Sequence, residues 1–96
     1  MDKLRNESTD LLFESILTLK SVDECYSFFE DICTIKEIQS IAQRVVVAKM
    51  LTEGSVYSDI VEATGASTAT ISRVNRSLNY GSDGYKIAFK RLEEQQ

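Results

Sequence analysis

The sequence predicts an all-α domain, and three observations carry that prediction. There is no proline and there are only four glycines in 96 residues, so nothing forces a break inside a helix. Apolar residues recur at helical spacing in one segment after another. A Ser or Thr followed three residues later by Glu, the pattern of a capping box, stands directly before two of those segments, at Ser21–Glu24 and Thr34–Glu37. The length suits one domain. Within it, residues 1–53 read as dimerisation helices, 54–79 as a helix-turn-helix, and 80–96 as a C-terminal helix with a short tail.

Residues 1–6 are expected to fray. A first helix runs from about Asn6 to Leu19, with Leu12, Ile16 and Leu19 in one row and Phe13 and Leu17 beside it. That face is broader than one contact needs, which suits a helix caught between two subunits. The Ser21 cap starts a second helix through Cys33, with Cys25, Phe28, Phe29, Ile32 and Cys33 as its apolar side. The Thr34 cap starts the longest helix, Ile35 to Glu53. Ile38, Ile41, Ala42, Val45 and Ala48 follow helical spacing there, and Val46 and Val47 widen the apolar surface. This helix is the central strut, and Gly54 ends it.

The segment from Val56 to Asn79, VYSDIVEATGASTATISRVNRSLN, reads as two short helices broken at Gly65. In the first, Ile60 and Val61 face inward and Ala63 lets the next helix approach. Gly65 supplies the left-handed residue of the turn. Ser67 caps the second helix, which buries Ile71, Val74 and Leu78 and turns Ser67, Thr68, Ala69, Ser72, Arg73 and Arg76 outward. This is the form of a DNA-binding helix-turn-helix. Small polar and methyl-bearing side chains suit base edges and thymine methyls, and the arginines suit phosphates. After Asn79-Tyr-Gly81, Ser82 and Asp83 can cap a last helix through Glu93, striped by Tyr85, Ala88, Phe89 and Leu92.

Composition narrows the function. There is no histidine, which removes nucleophile–His catalysis and imidazole zinc sites. No set of carboxylates has the spacing of an acid/base pair or a metal site, so neither an enzyme nor a bound metal is expected. Cys25 and Cys33 read as reduced thiols of a cytoplasmic protein. No run is long enough to span a bilayer, and MDKLRNESTD is too polar for a signal peptide. The net charge is −4, but it is segregated. Residues 1–33 carry a balance of −5, whereas residues 65–80 hold Arg73 and Arg76 and no acid. The reading head is locally basic in an acidic chain. The acidic balance also keeps open a second reading, a protein-interaction module on the same helices.

The run from Thr34 to Leu78 resembles the Trp repressor family. TIKEIQSIAQRV leads the long helix and GASTATISRVNRSLN forms the recognition segment. ECYSFFEDICT upstream and LNYG downstream are similar to the YerC/YecD-type bacterial branch of that family. The resemblance covers most of the chain. It implies six helices, an interlocked homodimer, and a transcriptional regulator, in the first instance a repressor, that binds double-stranded DNA. The operator would be a pseudo-palindrome with half-sites about one helical turn apart.

The resemblance also implies a place for a ligand. In the Trp repressor, tryptophan lies between the long helix and the recognition helix. The matching positions here are Thr34, Arg44 and Arg73, with Ser77 further along, and an arginine pair suits a carboxylate. Yet Val74 follows Arg73 where the Trp repressor has glycine, and a branched side chain there would fill the space of the indole. The join from Gly54 to Tyr57 also looks slightly short. Tryptophan is therefore not expected as a cofactor, and the sequence leaves another small effector open. Arg44 could instead pair with a carboxylate such as Glu37, and Arg73 could meet a phosphate.

Overall fold

The computed structural model describes residues 3–96. Among these residues there are six helices and no strand: α1 (Glu7–Leu17), α2 (Val22–Ile32), α3 (Ile35–Thr52), α4 (Tyr57–Thr64), α5 (Thr68–Tyr80) and α6 (Gly84–Glu94). Every helix expected from the sequence is present. The expectation of fraying falls partly on residues 1 and 2, which lie outside the described residues; residues 3–6 precede α1. The chain divides into two compact units, the first ending at Ile35 and the second spanning Lys36–Gln96.

In the first unit the helix starts are set by side chains. Asn6 Oδ1 accepts from the Thr9 N–H at 2.8 Å, and Ser21 Oγ accepts from the Glu24 N–H at 3.1 Å. Each satisfies one of the donors that a helix start leaves unpaired. The return arm of the Ser21 box is displaced by one residue: Glu24 Oε1 accepts from Lys20 N at 2.8 Å, rather than from Ser21. Helix α1 stops at Leu17, short of Leu19, where the Thr18 hydroxyl donates to the Ser15 carbonyl at 2.6 Å. Phe28 and Phe29 meet edge to face, with centroids 5.7 Å apart. Neither α1 nor α2 contains a buried residue, and Leu17 and Val22 are 83% and 72% exposed. Both cysteines are free; Cys25 is exposed and Cys33 partly covered.

The second unit holds the core. Val47 and Ala48 of α3, Ile60 of α4, Ala66 of the turn, Ile71 and Val74 of α5, and Phe89 of α6 are buried together. Met50, Leu51, Leu78 and Tyr85 pack around them. Ile60 faces inward as expected, but Val61 and Ala63 are exposed. Helix α4 has only eight residues, and its one inward row is taken by Ile60. Val61 lies about 100° further round the helix. The small residue at the close approach is Ala66, in the turn itself, 2% exposed.

The two ends of α6 also differ from expectation. Asp83 occupies the N-cap position with φ 64° and makes no side-chain cap. A capping side chain needs an extended backbone at that position. The Asp83 carboxylate instead lies 3.7 Å from Lys86 Nζ in an exposed pair. Phe89 is buried and Tyr85 stacks on it at 6.0 Å, whereas Ala88 and Leu92 of the same stripe stay exposed. Gly81 closes α5, its N–H donating to the Ser77 carbonyl at 2.9 Å. A Cβ on Gly81 would collide with that carbonyl, so the close approach of chain to helix end demands glycine there.

Candidate nucleic-acid interface

Helices α4 and α5 pack on each other, and the turn between them is held by more than its glycine. Gly65 has φ 72°, a conformation that costs other residues roughly 1 kcal/mol or more. The Thr64 hydroxyl donates to the Ile60 carbonyl at 2.7 Å and accepts from the Ala66 N–H at 3.1 Å. Gln43 of α3 reaches across and donates through Nε2 to the Thr64 carbonyl at 3.1 Å. The long helix is thus tied directly to the turn that aims α5.

Ser67 caps α5 as predicted: its Oγ accepts from the Thr70 N–H and donates to Thr70 Oγ1, both at 3.1 Å. The two faces of α5 then separate cleanly. Ile71 and Val74 are buried and Leu78 is partly buried. Ser67, Thr68, Ala69, Ser72, Arg73 and Arg76 are all exposed. Because the Ser67 hydroxyl is engaged by the cap, Thr68, Ala69 and Ser72 are the small side chains left to meet a partner. There is no acidic residue from Gly65 to Tyr80, so this surface carries the field of the two arginines and of the α5 N-terminus.

Of the residues considered for a ligand, Arg44, Arg73 and Ser77 belong to the second unit. Arg44 is exposed on α3, and Arg73 and Ser77 are exposed on α5. Thr34 belongs to the first unit. Arg73 lines an open depression of ≈ 620 Å³ with Tyr57, Ser72, Asn75, Arg76, Asn79 and Tyr80, and neither Arg44 nor Ser77 is part of that lining. Val74 is 2% exposed and packed in the core. Among the described residues no three of His, Cys, Asp and Glu converge as metal ligands, and no helix is long and apolar enough to cross a membrane.

Three supporting residues escaped the reading of the sequence. Thr64 carries a weak signal, a hydroxyl directly before the turn glycine. Ala66 is hidden by its neighbours in a small-residue run. Gln43 carries none, since a lone amide in an apolar helix reads as surface. Gln43→Met keeps the shape and removes the bond to Thr64. It should cost about 1 kcal/mol, a fall of about 4–8 °C in Tm for a domain of this size, readable by calorimetry.

Known proteins share this sequence and architecture. The family model for the Trp repressor protein matches residues 7–93. The uncharacterized protein YerC of Bacillus subtilis (strain 168) is 61% identical over 94 residues, covering 98% of this chain and 90% of YerC. The crystal structure of a TrpR-like protein from Eubacterium eligens ATCC 27750 superposes with a TM-score of 0.94 at 61% identity, over 97% of this chain and 96% of that one. A Trp repressor-type protein from Staphylococcus aureus gives 0.92 at 52% identity, over 96% and 92%. The family match therefore spans the segment from Thr34 to Leu78, and the fold superposes on solved structures over nearly the whole chain. The chain is a member of the Trp repressor family and has its all-α fold.

Proposed function

We propose that this protein is a sequence-specific DNA-binding transcriptional regulator, acting as a homodimeric repressor in the cytoplasm and not as an enzyme. One observation carries the reading. The recognition helix buries Ile71 and Val74 while presenting Thr68, Ala69, Ser72, Arg73 and Arg76 on an exposed face free of acid. Thr68, Ala69 and Ser72 meet base edges; Arg73 and Arg76 meet phosphates. Membership of a family of DNA-binding regulators supports it.

The homodimer is supported by what α1 and α2 leave uncovered. Helices of eleven residues are marginal in water unless an apolar face is packed. Here Leu11, Phe13, Leu17, Val22, Tyr26 and Ile32 remain about half exposed or more. A second copy would cover them, and two reading heads would then match a pseudo-palindrome. Sedimentation should show a dimer at micromolar concentration. A stable folded monomer there would remove the interlocked arrangement.

Tryptophan is not part of the function proposed. The burial of Val74 in the core beside Ile71 supports this reading. A thermal-shift titration with tryptophan should show no stabilisation, because only a ligand of the native state raises its melting point. A concentration-dependent rise would restore the ligand pocket of Arg44, Arg73, Ser77 and Thr34.

The net charge of −4 favours the rival reading, a helical module whose recognition face binds protein. Titration against pooled genomic fragments at two salt concentrations separates the two. The DNA reading expects enrichment of particular fragments and affinity that falls with salt. No enrichment and no binding at low salt would leave the interaction module.

A further inference from the structure

Of the base-reading residues only Ser72 lines the open depression at the C-terminal half of α5. Its walls are Tyr57 from α4 and Ser72, Arg73, Asn75, Arg76, Asn79 and Tyr80 from α5. Its chemistry is one-sided. Two guanidiniums face it and no carboxylate lines it. Asn79 Nδ2 donates to the Asn75 carbonyl at 2.9 Å and reaches Asn75 Oδ1 at 3.4 Å. That contact engages the amide oxygen of Asn75 and leaves its NH₂ to donate outward. Tyr80 is a large aromatic at the end of a helix, yet it is 85% exposed.

Length says where this surface falls. From Thr68 to Tyr80 the axis of α5 extends roughly 18 Å. A major groove is about 12 Å wide. A helix that enters the groove by its N-terminal half brings its last turns to the groove wall, where the sugar–phosphate backbone runs.

We propose that Tyr57, Asn75 and Tyr80 form a backbone clamp, separate from the base-reading residues. In it the Asn75 amide and the Tyr57 hydroxyl donate to a phosphodiester, and the Tyr80 ring packs on the adjoining sugar. Asn79 holds Asn75 in its donating orientation. The clamp rests on the DNA-binding reading given above and adds to it three contacts that carry no sequence information. It makes affinity less dependent on charge, which suits a head with only two arginines in an acidic chain.

The test is fluorescence polarisation of the full-length protein on a 30-base-pair duplex of random sequence, at several salt concentrations. Asn75→Ala and Tyr80→Ala should each weaken binding about 2- to 10-fold, alike on every sequence, with the slope of log affinity against log salt unchanged because no charge is removed. Gln95→Ala, exposed at the C-terminal end and away from the helix-turn-helix, should leave affinity for this random duplex unchanged. If the wild type binds the duplex and both clamp variants titrate identically to it, the clamp is wrong while the DNA reading stands. If the wild type binds no duplex even at low salt, both fall. Binding of free AMP that Tyr80→Ala abolishes, with duplex binding intact, would make the depression an effector site and overturn the proposal. So would a Tyr80→Ala protein that sediments as a monomer where the wild type is a dimer, since the surface would then be an interface between copies.

Discussion

Ile71→Ala should destabilise the protein by about 2–5 kcal/mol, the usual cost of emptying a fully packed aliphatic site. Ile71 is completely buried and joins α5 to Val47 of α3 and Ile60 of α4 in one cluster. The loss is a large share of the roughly 5–15 kcal/mol that holds a domain folded. In urea the midpoint should fall with an unchanged slope. DNA binding should fall with it, because α5 cannot be aimed once its buried row is gone. Ile71→Val should cost only about 0.5–1.5 kcal/mol and should keep binding. Equal stability of Ile71→Ala and wild type would contradict the placement of α5.

Removing both arginines should have the opposite profile. Arg73 and Arg76 are exposed, and among the described residues neither takes part in an ion pair. Arg73→Ala with Arg76→Ala should therefore shift Tm by no more than about 2–4 °C for each arginine removed, as surface changes usually cost under 0.5 kcal/mol. DNA affinity should fall about 100-fold or more, since charge-assisted hydrogen bonds are the strong ones. The salt dependence should flatten as well, by about 0.9 in the log–log slope for each phosphate no longer neutralised. A double variant that binds DNA with the wild-type salt slope would take both residues off the phosphates.

These two variants divide the molecule as the sequence itself does. The buried row Ile71, Val74, Leu78 and the exposed row Thr68, Ala69, Ser72, Arg73, Arg76 were both legible, because helical periodicity and the Ser67 cap set the phase of α5 without help from its neighbours. The same holds for the capped start of α2 and for Gly65, whereas the Asn6 cap of α1 was not read. Elements failed where the answer depends on the partner. Val61 and Ala63 read as inward because α4 is too short for its pattern to choose a face. Asp83 read as a cap because its side chain suits the role, but its left-handed backbone does not. Gln43 gave no signal because its acceptor, the Thr64 carbonyl, is 21 positions away along the chain. Val74 shows the same limit from the other side. Its burial was legible, but only the packed cluster shows how completely it fills its place.

The most direct test of the regulator reading is a map of the DNA sites bound in the native cell. Discrete sites are predicted, sharing a pseudo-palindrome with half-sites about one helical turn apart, and these should vanish in the Arg73→Ala, Arg76→Ala protein. Diffuse occupancy with no shared sequence, or sites that persist unchanged in the double variant, would contradict the claim that α5 is a DNA-reading helix.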